Sequence, residues 1–201
     1  MIFELLSTFA AGYFVGGVPV AAIAARLAGH DIFRVGSGNM GAMNAARNLG
    51  WALGAAVFLL DVLKGAAAAL LGGWMGQAAG LDASFATSLA AGVGAVAGHA
   101  WSPYVRFRGG KALATAFGMT LPVVPWAGVA GLTLMVALVL LLRRATLAAM
   151  LALTLYPPLT GAVLLRAGRP EEEAFTAVTA AILIAVISLI KHVQALRRPD
   201  A

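Results

Sequence analysis

The residues best suited to chemistry sit in one polar stretch, Val35-Gly36-Ser37-Gly38-Asn39-Met40-Gly41-Ala42-Met43-Asn44-Ala45-Ala46-Arg47. Glycine admits positive φ and lets a ligand approach backbone amides closely. Successive N–H groups in such a loop form an anion-binding concavity, and a following helix N-terminus adds positive potential. Ser37, Asn39 and Asn44 supply neutral hydrogen-bonding groups, and Arg47 supplies a fork suited to phosphate. The stretch reads as a site for a phosphate-sized anion at a membrane surface. The competing reading is a Gly/Asn loop that only turns the chain.

Two further clusters have the same character. Phe107-Arg108-Gly109-Gly110-Lys111-Ala112-Leu113-Ala114-Thr115 places a glycine pair and a lysine before a helix start. It has the parts of a phosphate cradle but is not GxxxxGK[ST], so nucleotide binding is not implied. Lys191-His192 is the third. Each taken alone could be a solvated loop or a snorkelling base. Together they offer cationic and amide donors with no evident carboxylate base. With no cysteine, disulfides, thiol catalysis and Cys-ligated metal are excluded. The three histidines and eight acids are scattered without ligand spacing, so no metal site is expected. Such a site holds phosphates and stabilises developing negative charge more readily than it forms a covalent intermediate. Asp61 and Lys64 stand apart, one turn from each other in an apolar segment. Ionisable groups inside a membrane are expensive and usually paired or functional. Their spacing suits an intrahelical ion pair, with support of the site as the alternative.

The elements that must position these residues are membrane helices. Of 201 residues, 61% are hydrophobic and 11% charged, against about 45–50% and about 25% in soluble domains. The net charge of +6 fits cytoplasmic loops rich in Lys and Arg better than nucleic-acid binding. Met1-Ile2-Phe3-Glu4 has no basic n-region, so an uncleaved first helix is expected. Apolar runs of about 20 residues span a bilayer. They predict seven helices, at 3–27 (with Pro19 inside), 49–72, 83–100, 112–123, 126–142, 145–165 and 174–190. Gly72–Asp82 is read as a loop. Pro122 and Pro125 divide a stretch too long for one crossing. Tyr156-Pro157-Pro158 is expected to kink the sixth helix. With the N-terminus outside, eleven of fourteen bases fall on the inner side: Arg26, Arg34, Arg47, Arg106, Arg108, Lys111, Arg143, Arg144, Lys191, Arg197 and Arg198. That is a strong positive-inside bias, and it puts all three polar clusters on one face. The pairs Gly12/Gly16, Gly50/Gly54 and Gly94/Gly98 fit close helix packing.

These motifs resemble a known family. Gly36-Ser37-Gly38-Asn39-Met40-Gly41-Ala42-Met43-Asn44 with Arg47 resembles the first signature of the bacterial acyl-phosphate:glycerol-3-phosphate acyltransferases, the PlsY family. Asp61-Val62-Leu63-Lys64-Gly65 is similar to that family's DxxKG. Gly98-His99 followed by the cluster from Phe107 to Thr115 resembles its second signature, GH…FKGGKGVAT, and Lys191-His192 the opening of its third, RHxxN. Order, spacing and hydropathy match over essentially the whole chain.

The resemblance implies an all-α polytopic fold of seven transmembrane helices, a single integral-membrane acyltransferase domain over residues 1–201. The N-terminus would be outside, the C-terminus cytoplasmic. An acyl chain would pass from acyl phosphate to the 1-hydroxyl of glycerol 3-phosphate, giving lysophosphatidic acid and phosphate for phospholipid synthesis. By position, Ser37, Arg47, Lys111 and His192 would be catalytic. Gly36, Gly38, Asn39, Gly41, Asn44, Arg108, Gly109 and Gly110 would bind substrate. The family is thought to use no protein base, the substrate's own phosphate assisting proton removal. No cofactor, metal or nucleic acid is expected. The protein would be a multi-pass monomer among the lipids of the bacterial plasma (inner) membrane, its active site facing the cytoplasm.

The chain departs from the family pattern at several positions. Met43 replaces a threonine, Ala112 a glycine, Arg108 a lysine, and Ala195 an asparagine. The proline of GHxxP arrives one residue late, at Pro103. Arg198 still follows, but the tail lacks the family's GxExK. A lost hydrogen bond to a charged group costs about 1.5–3 kcal/mol. A diverged, non-catalytic membrane homologue binding a phosphorylated lipid precursor is therefore the alternative. An anion transporter fits less well, because transporter sites lie near the bilayer midplane between repeats.

Overall fold

Proline and glycine decide where several of the helices end. Pro19 lacks an N–H and clashes with the preceding turn. The first apolar run is consequently two helices, α1 (Ile2–Gly17) and α2 (Val20–Leu27), rather than the continuous 3–27 expected. The computed structural model describes residues 1–80 and 84–197. Arg198 and the end of the expected Gly72–Asp82 loop lie outside the described residues.

The polar stretch holds a short helix of its own, α3 (Ala42–Leu49). Gly50, at φ 106°, turns the chain directly into α4 (Trp51–Ala78). Gly50 is thus a hinge and not half of a packing pair with Gly54. α4 also runs past the expected stop at residue 72. Gly72 and Gly76 do not end it, because they let Thr87 of α5 (Ser84–Ala100) pack against α4. A single 3-10 turn, Pro103–Val105, precedes α6 (Leu113–Thr120) and α7 (Pro125–Leu142). The division at the two prolines is as expected, with Pro125 opening α7 where its missing N–H costs nothing. α8 (Ala145–Arg166) continues as one helix through Pro157 and Pro158. α9 (Glu171–Leu196) extends beyond both expected ends, so Lys191 and His192 lie on a helix and not after it.

α5 is the axis of the bundle. Twelve of its seventeen residues are buried, and α1, α4, α6 and α9 all pack on it. Small residues make this possible. A Cβ at Gly12 or Gly16 would overlap the backbone of Ala91 or Ala95, and one at Gly94 or Gly98 that of Phe9 or Tyr13. The expected packing role of these glycines is therefore realised between α1 and α5. Among the described residues, five helical segments are long and apolar enough to cross a membrane: Ile2–Leu27, Trp51–Ala78, Pro125–Leu142, Ala145–Arg166 and Glu171–Leu196. No strand occurs among the described residues.

Candidate active site

The first polar loop is shaped by one side chain. Asn44, in the first turn of α3, is buried, and its Nδ2 faces the carbonyls of Ile32, Val35 and Asn39 at 3.1–3.3 Å. Its Oδ1 accepts from the Ser37 amide at 3.2 Å and from Asn48 Nδ2 at 3.0 Å. These contacts engage both ends of the amide. Asn44 is therefore a clasp that folds the loop. Gly36 and Gly38 take positive φ, 52° and 62°, and a Cβ at Gly36 would meet Asn44 and Asn48. The Gly38 and Gly41 amides donate to Val35 and Asn39 within the loop, each at 3.0 Å. Among the described residues, the Asn39 and Met40 amides make no such bond. Ser37 is exposed at the loop surface, and Arg47 projects from the exposed side of α3.

The second cluster folds against the first. The Gly110 amide donates to the His99 carbonyl at 3.1 Å. A Cβ at Gly109 would strike the His99 and Ala100 carbonyls, and one at Gly110 the Met40 carbonyl and His99 Nε2. The glycine pair therefore serves close approach between the loop and α5, and the Gly110 amide is engaged within the protein. The Arg108 guanidinium lies over the Phe33 ring, 4.0 Å from its centroid, a cation–π contact that ties the two loops together. Ala112 precedes α6 at φ 62°, a left-handed conformation natural to glycine and strained for alanine.

Lys111 is half-buried. Burial, and then the charge of Arg47, lower its pKa from the usual lysine value. The charge of Lys111 in turn reaches His192. Arg47 from α3, Lys111 from the second loop and His192 from α9 thus converge, although 145 positions separate the first from the last. His192 is buried, and its Nδ1 lies 2.8 Å from the Ser188 carbonyl one turn back. A carbonyl only accepts, so Nδ1 carries the proton there and Nε2 remains for another partner. Lys191 sits 5.7 Å from the Trp101 ring centroid. Ala195, one turn beyond His192, is half-buried and presents no polar group. Met43 is 60% exposed on α3, so the departure there lies on the surface.

An apolar cavity of about 150 Å³ begins two residues beyond Lys111. Leu113, Ala116 and Phe117 of α6 form one wall, Gly131 and Met135 of α7 another, and Ala152 and Tyr156 of α8 a third.

Residues 6–199 match the family model described as glycerol-3-phosphate acyltransferase. The chain belongs to this family. A glycerol-3-phosphate acyltransferase of Geobacter sulfurreducens is 36% identical over 200 residues, covering 98% of this chain and 94% of the relative. Glycerol-3-phosphate acyltransferase 1 of Deinococcus radiodurans is 35% identical over 189 residues, covering 94% and 88%. The fold is similar to crystal structures of PlsY (YgiH), an integral membrane glycerol 3-phosphate acyltransferase. The glycerol 3-phosphate form superposes with a TM-score of 0.76 at 29% identity, covering 98% of this chain and 90% of that one. The lysophosphatidic acid form gives 0.77 at 29% identity, covering 96% and 90%.

Against this glycerol-3-phosphate acyltransferase background, the residues that sequence reasoning missed are the buried ones. His99 and Thr115 stood inside the second signature with no role. Tyr13 and Ser102 carried no signal at all. Yet Tyr13 donates to the Trp101 carbonyl and Ser102 to the Gly17 carbonyl, both at 2.6 Å, and so anchor the second loop to α1.

Proposed function

We propose that this chain acylates glycerol 3-phosphate at its 1-hydroxyl, with acyl phosphate as the donor. The hydroxyl oxygen attacks the acyl carbonyl carbon. The bond from that carbon to the phosphate oxygen breaks, and the phosphate leaves with the electron pair and takes up the hydroxyl proton. Lysophosphatidic acid and phosphate result. The observation that carries this reading is the convergence of Arg47, Lys111 and His192 beside an apolar cavity.

Each group has a task that its chemistry fits. Arg47 and Lys111 hold the two substrate phosphates and offset the negative charge that develops on the carbonyl oxygen and the leaving phosphate. His192 Nε2, Ser37 and the amides of the first loop complete the polar shell. Asp61, a buried acid of α4, is already paired with Lys64 at 2.8 Å. The leaving phosphate is then the natural acceptor for the proton. The cavity takes part of the acyl chain. About 150 Å³ of apolar space is room enough for a benzene-sized hydrocarbon, and each buried methylene contributes about 0.8 kcal/mol.

Seven crossings, with the N-terminus outside and the site at the cytoplasmic face of the bacterial inner membrane, follow from the distribution of the bases. A monomer suffices, since one chain supplies every group named. The chain has no cysteine, so Arg143→Cys and Arg169→Cys report sidedness directly. Position 169 should react with an impermeant maleimide from outside and position 143 only from inside.

The decisive assay gives purified protein labelled glycerol 3-phosphate with acyl phosphate, acyl-CoA or an acyl carrier protein thioester. Product from acyl phosphate alone is expected, and product from a thioester alone would overturn the donor assignment. The non-catalytic alternative rests on Met43 and Ala195, which present no polar group where the family pattern has one. Binding of glycerol 3-phosphate without turnover by any donor would favour it.

A further inference from the structure

Beneath the Gly109–Lys111 corner lies a polar cluster that the proposed reaction does not use. Asp61 and Lys64 of α4, His99 of α5 and Thr115 of α6 are all more than nine-tenths buried. Lys64 Nζ lies 2.8 Å from Asp61 Oδ1 and donates to the Val18 carbonyl at 2.9 Å. His99 Nδ1 faces Asp61 Oδ1 at 3.4 Å and Thr115 Oγ1 at 3.2 Å. The Nδ1 edge of the ring is thus held between the Asp61 carboxylate and the Thr115 hydroxyl. The opposite edge of the same ring, at Nε2, packs where a Gly110 side chain would otherwise stand, next to the Met40 carbonyl of the first loop. The His99 carbonyl holds the Gly110 amide at 3.1 Å. One residue therefore supports the second loop by its backbone and its ring, at the point where that loop meets the first.

We propose that His99 is a positioning residue of the acyl transfer: Asp61 and Thr115 fix its ring, and the ring and carbonyl together fix the Gly109–Lys111 corner on the substrate phosphate. This rests on the acyltransferase reading of the same site. A lysine on a loop must be placed accurately, since a misplacement of about 1 Å far from the chemistry can cost about a hundredfold in rate. The cluster accomplishes this from below, with Lys64 paired to Asp61 and the Thr115 hydroxyl bonded to the ring.

The test compares replacements that keep different halves of the imidazole. His99→Asn retains a polar group near the Nδ1 position and His99→Gln one near Nε2. Thr115→Val removes one partner of the ring at constant shape, and Thr115→Ser restores it. We expect Thr115→Val to lower kcat/KM about tenfold, the order of one buried hydrogen bond, and Thr115→Ser to recover it. His99→Asn should retain more activity than His99→Gln at equal folded fraction. The loss should grow when Lys111 is present and vanish in a Lys111→Ala background, as coupled positions require. A purely structural role would lower the unfolding temperature of all four variants and leave kcat/KM per folded molecule unchanged; that result overturns the proposal, as do equal losses in Asn and Gln. Calorimetric binding of glycerol 3-phosphate to the wild type and Thr115→Val runs alongside. If the wild type makes no product, the acyltransferase reading fails by itself. Weaker binding by Thr115→Val then still supports the positioning role, and equal binding removes it.

Discussion

The α1–α4–α5 half of the molecule and the α7–α8 hairpin are built on opposite plans. In the first, helices meet backbone to backbone, and polar side chains cross between elements: Tyr13 to Trp101, Ser102 to Gly17, Lys64 to Val18 and His99 to Thr115. In the second, Leu140 and Leu141 are more than 70% exposed, and the side-chain hydrogen bonds of Thr154 and Thr160 stay within α8. Close packing leaves no slack, so the first half can hold charged groups to fixed positions. The hairpin is more exposed and lines the apolar cavity with α6. A phosphate has one shape and needs the first kind of wall. A hydrocarbon chain has many conformers and fits the second.

The comparison breaks most sharply at the α1–α5 contact. Gly16→Leu should prevent accumulation of folded protein, because its Cβ would overlap the Ala95 backbone and overpacking against backbone exceeds the usual cost of about 1–3 kcal/mol. The matched change Leu140→Phe on the hairpin should leave expression and unfolding temperature unaltered; size-exclusion chromatography and a thermal scan decide both. Lys111→Ala should lower kcat/KM by about 10²–10³-fold, the range for one lost electrostatic donor, with an unchanged thermal midpoint. Ala152→Phe fills the cavity. It should raise KM for long-chain acyl phosphate about tenfold, equivalent to about two displaced methylenes, without moving KM for glycerol 3-phosphate.

A smaller effect concerns pH. Burial and Arg47 lower the Lys111 pKa, so its charge is present at low pH and lost as pH rises, earlier than for an ordinary lysine near about 10.4. Activity should fall on the alkaline side before free lysine titrates. Lys111→Arg, which keeps its charge, should flatten that limb in a pH–rate profile. The smallest change is Ala112→Gly, which relieves the strain at φ 62°. Left-handed backbone costs alanine about 1–2 kcal/mol, of which glycine's greater unfolded entropy returns about half. The thermal midpoint should rise slightly, and activity should be unchanged.

Much of this was legible in the chain itself, though unevenly. Apolar run lengths placed the helices, and Pro122 and Pro125 were correctly taken as a break. Gly72 and Gly76 misled in the other direction, since membrane helices use glycine for packing as readily as for stopping. In the site, the residue types could be read from the sequence, and their contacts within the protein could not. A local pattern does not reveal that the carbonyls of Ile32, Val35 and Asn39, all in the loop before it, face the Asn44 amide. Nor does anything in the sequence say that the end of α5 passes beneath Gly109 and Gly110.

Hydropathy and the motifs are properties of neighbouring residues, and the sequence alone determined them: a helical membrane protein of the glycerol-3-phosphate acyltransferase family. The cavity between α6, α7 and α8, the Asn44 clasp and the His99 support depend on which helices pack together and how closely. Only the tertiary structure decided those, because a buried polar side chain takes its function from the partners that long-range packing brings to it.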